Sequence, residues 1–445
     1  MSPPERPEGG YLRTQHEGSR VGPSDRPKDA SSSTRHEAGP AGAAAPAVEL
    51  SVAQAVARLC DGLAPIDGTA TVPLAQALGG VLAEDLIAPN DLPAFDNSAM
   101  DGYALRHADL AAGTPLREVG RSYAGHGHGG AVGAGECVRI MTGAPMPAGA
   151  DTVVVSEDVD VQDGRVTVRS TPPPGANIRR RGEHIARGSV ALATDTQLSG
   201  AAIALAAAVG AVSLPLRRTL RVGVLSTGDE LVDPPQVLGA AGAYDANRPL
   251  LATACTRLGF AVEDLGICGD CAGDFTAALQ RALAAGCDAL LVSGGAAQGD
   301  ADIVRQAGGV QFVALNIRPG RGIAWARLAQ APRPLLMLGL PGNVVAAFVM
   351  FHLVARPVLL HLAGARAQPL PRLQAPLAAA VTLRGGRIDY RRGRIDAMGR
   401  VDLLREQGSA MLRTLVEADC LVALGPAAHY PAGSIVDVIP LGLLV

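Results

Sequence analysis

The chain has 445 residues, of which 48% are hydrophobic, and a formal net charge of -3. That length calls for two to four domains, and the charge balance gives no global electrostatic case for nucleic acid. Seven cysteines, an odd number scattered along the chain, argue for reduced thiols and a cytoplasmic setting over a disulfide framework.

Residues 1–46 are rich in Pro, Gly, Ser and Ala with hardly a large apolar side chain. They cannot bury enough surface to offset their ordering entropy and are expected to form a disordered extension. The opening residues show neither a signal peptide nor the acid-poor composition of a transit peptide. Order is expected from Ser51, a cap for a helix whose Val52, Ala55, Val56, Leu59, Cys60 and Leu63 share one face. Ala75 to Leu86 reads as a second helix, or a helix running into a strand. Pro93, Asn97 and Gly102 break the pattern.

From Leu116 to about Val190 the signals are β-type. Val-rich runs such as Thr152–Val155 and Arg165–Val168 lie between glycine-rich turns. His126 and His128 sit in one such turn and, lacking a third ligand, read as hairpin residues. Arg179-Arg180-Arg181 reads as a solvated basic run. Leu198 to Val212 returns to alanine-rich helix.

Leu220 to about Leu362 has the pattern of an α/β core. Three short apolar runs end in Ser226-Thr227-Gly228-Asp229-Glu230, in Ser293-Gly294-Gly295 and in Gly339-Leu-Pro-Gly342-Asn343. Runs without alternation imply strands buried on both faces, as in a parallel sheet. Helices are expected over Pro249–Leu258 and Phe275–Ala285, the latter with Asp274 as a candidate cap, and a strand over Phe260–Ile267. Val344 to Ala363 is the most apolar stretch. It contains His352, Arg356, Pro357 and His361, which suits a buried helix better than a membrane span. After Leu370 short strands and turns predict a C-terminal β domain.

In open α/β sheets the ligand lies beyond the carboxyl ends of the strands. Glu230 with Asp229, Asp270, and Asp300 with Asp302 all fall at that edge. Carboxylates converging there suit Mg²⁺, which grips phosphate oxygens. Taken singly, each reads better as a helix cap or loop residue; three at one edge leave both readings open. Gly342 and Asn343 open a long helix, an anion seat or a plain cap. Arg318-Pro319-Gly320-Arg321 places two guanidinium groups on one turn, suited to oxyanions or simply solvated. Cys268-x-x-Cys271 lacks the second pair a four-thiolate zinc site needs.

One stretch is more specific. Pro93-Ala-Phe-Asp-Asn-Ser-Ala-Met-Asp-Gly-Tyr-Ala104 closely resembles the signature of the molybdopterin molybdenumtransferase family, the bacterial MoeA type related to the gephyrin E domain. Further stretches agree in order: Arg139-Ile-Met-Thr-Gly-Ala-Pro145, Asn177-Ile-Arg-Arg-Arg-Gly-Glu183, Ser226 to Leu231, Tyr244-Asp-Ala-Asn-Arg248, Gly339 to Asn343 and Gly408-Ser-Ala-Met-Leu412. Several matches in one order are far more specific than any single one.

The resemblance implies a multidomain α/β plus β architecture: a discontinuous helical linking domain (47–92 and 187–216), an inserted β domain (93–186), a three-layer MogA/MoaB-like molybdopterin-binding α/β domain (217–365) and a C-terminal β-barrel-like domain (366–445). It implies a homodimer whose cleft is shared between subunits. It also implies an activity, insertion of molybdenum from molybdate into adenylylated molybdopterin with release of AMP.

Roles carry over residue by residue. Glu230, Asp270 and Asp302 would hold Mg²⁺. Asp101 and Thr142 would act from the partner subunit. Ser226, Thr227, Gly228, Gly294, Gly295, Gly342 and Asn343 would line the pterin and its phosphate. Arg318, Arg321, Arg392 and Ser409 would meet oxyanion. A molybdopterin adenylyltransferase and molybdoenzyme maturation proteins are the implied partners. The chain departs from the family pattern at His184, Ala297, Gln298, Gly322 and Val344. That marks it as a divergent member and keeps open a second reading, a non-catalytic molybdopterin-binding or carrier protein.

Overall fold

Among the described residues, three six-stranded sheets organise the chain, each around its own apolar core. The computed structural model describes residues 49–294, 309–329 and 334–443. Asp300, Asp302, Gly295, Ala297, Gln298 and the extension over 1–46 therefore lie outside the described residues.

Helix α1 (Val52–Cys60) begins in a capping box: Ser51 Oγ accepts the Gln54 N–H at 3.2 Å, and Gln54 Oε1 accepts the Ser51 N–H at 2.9 Å. Its Ala55 and Leu59 are fully buried in the core of the α/β region. The helix expected over Ala75–Leu86 does not form. A single 3₁₀ turn, Leu74–Gln76, is followed by Gly79 and Gly80, and Val81 and Leu82 then pair as bridges with Gln197 and Leu216. Gly79 has φ +77°, and a Cβ there would meet the Gly259 Cα at 3.2 Å. Close backbone approach thus overrides the local helical preference. Strand β1 (Thr69–Pro73) pairs antiparallel with a later strand, Ser213–Arg217, beyond the second helix.

The inserted domain comprises β2 (Gly102–Leu105), β3 (Leu116–Ser122), β4 (Glu136–Ile140), β5 (Thr152–Val155), β6 (Val159–Gln162) and β7 (Arg165–Val168), in the order β5-β2-β4-β3-β7-β6. A Cβ at Gly102 would lie 2.0 Å from the Val154 carbonyl oxygen, so the β2–β5 pairing requires glycine there. Helix α2 (Gly200–Ala208), capped by Ser199, and β8 (Ser213–Arg217) lead out of this half.

The central sheet contains β9 (Arg221–Thr227), β10 (Ala261–Cys268), β11 (Ala289–Ser293), β12 (Gln311–Ala314), β14 (Gly322–Leu328) and β15 (Leu335–Leu340), with the short β13 (Ile317–Arg318) leaving it. The order is β10-β9-β11-β15-β14-β12. Four strands, β10, β9, β11 and β15, run parallel; β9, β11 and β15 are buried on both faces, as the apolar runs predict, while β10 at the edge is mostly half-buried. The sheet is mixed, since at its other edge β14 and β12 run antiparallel. The connection from Leu328 to Leu335 is too short for a crossover, which takes a dozen residues or more.

Helix α3 (Asn247–Arg257) follows β9, and α4 (Ala272–Ala284) follows β10. Asp274 does not cap α4. The helix begins three residues earlier, Cys271 is the cap, and its Sγ accepts the Asp274 N–H at 3.4 Å. Residues Val344–Leu362 form one long buried element: α5 (Val344–Met350), a π turn over Phe351–Ala355, and α6 (Arg356–Leu362). It is apolar and long enough to cross a membrane by composition, but 78% of its most apolar window is buried inside the fold.

The C-terminal region has β16 (Leu373–Pro376), β17 (Ile388–Ile395), β18 (Val401–Leu403), helix α7 (Leu412–Glu417), β19 (Cys420–Leu424) and β20 (Ile435–Pro440). Its order is β13-β17-β19-β20-β16, with β18 on β17. A bridge between Leu377 and Val401 brings the end of β16 back to β18, so the sheet closes on itself in a barrel-like ring. Strand β13 comes from the α/β segment and pairs with β17 in register Ile317↔Ile388 and Arg318↔Asp389. That pairing fixes Arg318 against the C-terminal domain.

Candidate active site

Two adjoining regions meet at Gly342. The first is the carboxyl edge of the central sheet. Ser226 and Thr227, at the end of β9, are buried, and Thr227 Oγ1 donates to the Ser293 carbonyl at 3.3 Å. Gly294 has φ +108°, and a Cβ there would lie 2.5 Å from the Thr227 carbonyl oxygen, so only glycine fits between the strand ends. Glu230 folds its carboxylate back over Gly228, where an added Cβ would meet Oε2 at 2.4 Å. The Asp270 N–H donates to Asp229 Oδ1 at 2.9 Å and ties the second acidic loop to the first.

Asn247, quoted only as part of a motif in the sequence, proves to be central here. Its Nδ2 donates to Ser293 Oγ and to the Gly342 carbonyl, each at 2.6 Å. Among the described residues its Oδ1 and the Ser226 hydroxyl are buried without a partner.

The second region is a cleft of 890 Å³ between the central sheet and the C-terminal barrel. It is lined by Arg318, Arg321, Arg384 and Arg391, with Gly342, Asn343 and Ser409, and among the described residues Asp389 is its one acidic lining residue. Asp389 is 4% exposed and lies 3.8 Å from Arg318 and 3.4 Å from Arg391. One carboxylate thus orients two guanidinium groups and leaves the cleft strongly positive. Arg321 approaches Glu49 at 3.6 Å. Such a set matches a compact oxyanion.

Arg392 does not line this cleft. It is fully buried, its Nε donates to Thr414 Oγ1 at 3.1 Å, and one terminal nitrogen donates to the Glu406 and Gly408 carbonyls at 3.2 and 3.0 Å. It therefore holds the loop that presents Ser409. Burial and the neighbouring Arg391 push its pKa down to about 10. Neighbours on a strand face opposite ways, so Arg391, and not Arg392, reaches the cleft.

The inserted domain carries a third feature. Asp101 Oδ1 accepts the Thr142 N–H at 2.7 Å and the Thr142 hydroxyl at 2.8 Å. These bonds hold the Asp101 carboxyl below the usual carboxylate range. The pair does not line the cleft of its own chain. The surrounding signature is braced by Arg180 on Asp96 at 2.8 Å and Arg181 on Asp91 at 2.6 Å, which accounts for two members of the basic run. His126 lies in a tight turn bonded to Tyr123, as a hairpin residue should.

Hard carboxylate oxygens on two linked loops, Glu230 and Asp270, fit Mg²⁺, an ion that keeps several waters. Asp302 lies outside the described residues, and among those described no three His, Cys, Asp or Glu side chains form a metal cluster. The Cys268-x-x-Cys271 pair does not read as a thiolate site. Burial, then the charges of Asp274 and Asp270, push the Cys268 thiol up to about 11.

The chain matches three family descriptions in succession: "MoeA N-terminal region (domain I and II)" over residues 50–210, "Probable molybdopterin binding domain" over 223–361, and "MoeA C-terminal region (domain IV)" over 374–441. It is 34% identical to a molybdopterin molybdenumtransferase of Haemophilus influenzae over 89% of this chain and 100% of that protein. It is 36% identical to molybdopterin molybdenumtransferase 2 of Mycobacterium tuberculosis over 79% of this chain and 90% of that one. The crystal structure of a molybdopterin biosynthesis MoeA protein from Pyrococcus horikoshii shares the fold, with a TM-score of 0.72 at 24% identity over 88% of this chain and all of that one.

Proposed function

The chain belongs to the MoeA family of molybdopterin molybdenumtransferases, and on that premise we propose that it inserts molybdenum from molybdate into adenylylated molybdopterin and releases AMP. The observation that carries this reading is the arginine cleft opening beside Gly342, next to the acidic edge of the sheet. One face suits a tetrahedral oxyanion, and the other suits a phosphate held through a divalent ion.

Arg318, Arg384 and Arg391 bind molybdate as charge-assisted donors, with Arg321 and Ser409 at the rim. Gly294 and Gly342 let backbone approach the pterin. Glu230 and Asp270 are the residues that would hold Mg²⁺, with Asp302 as the third, and the ion would neutralise charge on the phosphoanhydride as it breaks. Asp101 is ionised at neutral pH. Thr142 occupies its Oδ1, which leaves Oδ2 to orient a water toward the anhydride.

Since Asp101 does not line its own chain's cleft, we assign it to the cleft of a second copy. Helix α2 supports a homodimer. Its sequence, Gly-Ala-Ala-Ile-Ala-Leu-Ala-Ala-Ala, is uncharged all round, yet only Ala202 and Ala206 are buried. An apolar helix with an open face calls for a cover. Seven free thiols support a reducing, cytoplasmic setting. The reading calls for a molybdopterin adenylyltransferase as supplier and molybdoenzyme maturation proteins as recipients.

The test is molybdenum on the product. Protein incubated with adenylylated molybdopterin, Mg²⁺ and molybdate should yield one pterin-bound molybdenum per AMP. Pterin retained with its nucleotide intact would leave only the carrier reading.

A further inference from the structure

We propose that Asn247 is a positioning residue that clamps the two halves of the substrate site together. The inference rests on the transferase reading and deepens it. In the sequence Asn247 is only one member of a quoted motif, and its role comes from where its amide reaches.

Asn247 opens α3 and is 7% exposed. Its backbone N–H is fixed by Asp245 Oδ1 at 3.0 Å, so the side chain starts from a held position. Both Nδ2 protons are used. One goes to Ser293 Oγ at the end of β11, and the other to the Gly342 carbonyl just past the end of β15. The orientation of the amide is settled by chemistry. Flipped, its oxygen would face the Gly342 carbonyl oxygen at 2.6 Å, acceptor against acceptor.

The two strand ends it joins carry the two glycine turns of the site. Gly294 donates its N–H to the Leu340 carbonyl at 3.2 Å, and a Cβ on Gly342 would meet the Gly294 Cα at 3.5 Å. Ser293 is held in turn by Thr227. A single amide therefore links the acidic edge, through Ser293 and Thr227, to the arginine cleft, through Gly342. A substrate whose anhydride lies over one half and whose incoming oxyanion lies over the other needs that floor fixed. Catalysis is sensitive to sub-ångström misplacement of this kind.

The test uses the full-length protein with Asn247→Asp, which keeps the shape and removes the donor, and with Asn247→Ala. In both variants kcat for AMP release should fall roughly tenfold or more, as the loss of buried hydrogen bonds implies. Affinity for molybdate alone, measured by calorimetry on Asn247→Ala, which adds no charge, should stay within about twofold, since no arginine is touched. Hydrogen exchange at the Gly294 amide should quicken roughly tenfold while amides in the middle of β9 keep their protection. Ser293→Ala, which removes one of the two acceptors, should show a smaller change in the same direction.

Wild-type kcat in Asn247→Asp would overturn the proposal. So would unchanged exchange at Gly294, or a uniform loss of protection across the sheet, which would mark a scaffold residue. A wild-type protein that releases no AMP would instead remove the transferase reading, and exchange at Gly294 would still report on the clamp.

Discussion

Asp101 and Thr142 form a closed pair in which one carboxylate oxygen takes both donors of the threonine, its N–H and its hydroxyl. The pair joins the strand that opens the inserted domain to the turn after β4. Thr142→Ala removes the hydroxyl and keeps the N–H, so the Asp101 pKa should rise toward its ordinary value. The acid limb of the pH profile of kcat/KM for AMP release should then move to higher pH. An unmoved limb would show that ionised Asp101 does not govern the reaction.

Arg391 and Arg392 are adjacent and should fail differently. Arg391→Ala should raise the KM for molybdate roughly tenfold, through loss of a charge-assisted contact, and leave the melting temperature nearly unchanged. Arg392→Leu removes three hydrogen bonds, to Thr414 Oγ1 and to the Glu406 and Gly408 carbonyls, and should cost about 3 kcal/mol of stability. Steady-state kinetics and thermal melts on the two variants check this. Reversed phenotypes would mean that the other arginine faces the cleft.

These two residues also show how far the sequence could be read. The apolar runs of β9, β11 and β15 and the cap at Ser51 follow from local chemistry, and the runs put Gly342 beyond the end of β15, whereas Ser409 comes only through the family resemblance. A one-residue ambiguity on β17 is different, because facing is set by which strand it pairs with, and that is a tertiary fact. Arg384 and Asn247 were missed for a similar reason. A loop arginine and a polar residue opening a helix have no local signature of what they reach. The stretch from Ala75 to Leu86 failed because Gly79 and Gly80 meet Gly259 and Leu216 across the chain, which no local window contains. The matching motifs in order, by contrast, were visible at once.

His352 lies in the π turn, 4% exposed, between the rings of Phe348 and Phe351 at centroid distances of 4.4 and 5.1 Å. Burial, with Arg356 and Arg257 nearby, pushes its pKa down from 6.5 to about 3. Between those values the unfolded chain binds a proton that the folded one refuses. Its contribution to stability is therefore whole above pH 6.5 and is lost as the pH falls toward about 3. His352→Leu should lose less stability on acidification, by roughly 1.4 kcal/mol per pH unit below pH 6.5. Denaturant titrations from pH 7 to 4.5 measure it. Parallel curves for variant and wild type would contradict the account.

If a second copy completes each cleft, chains with Asp101→Asn and chains with Glu230→Gln should complement. Each homodimer should be nearly inactive. An equal mixture refolded together should recover on the order of a quarter of wild-type AMP release, because about half of the dimers are heterodimers and one of the two clefts in each carries neither substitution. Recovery no greater than the sum of the two separate variants would place Asp101 and Glu230 in the same chain's site.

The most direct measurement is single-turnover release of AMP from adenylylated molybdopterin, with Mg²⁺ present, followed with and without molybdate. The account predicts AMP release that is strongly accelerated by molybdate, with the acceleration shifted to roughly tenfold higher molybdate in Arg391→Ala. Tight pterin binding with no molybdate-dependent AMP would contradict molybdenum transfer by this chain.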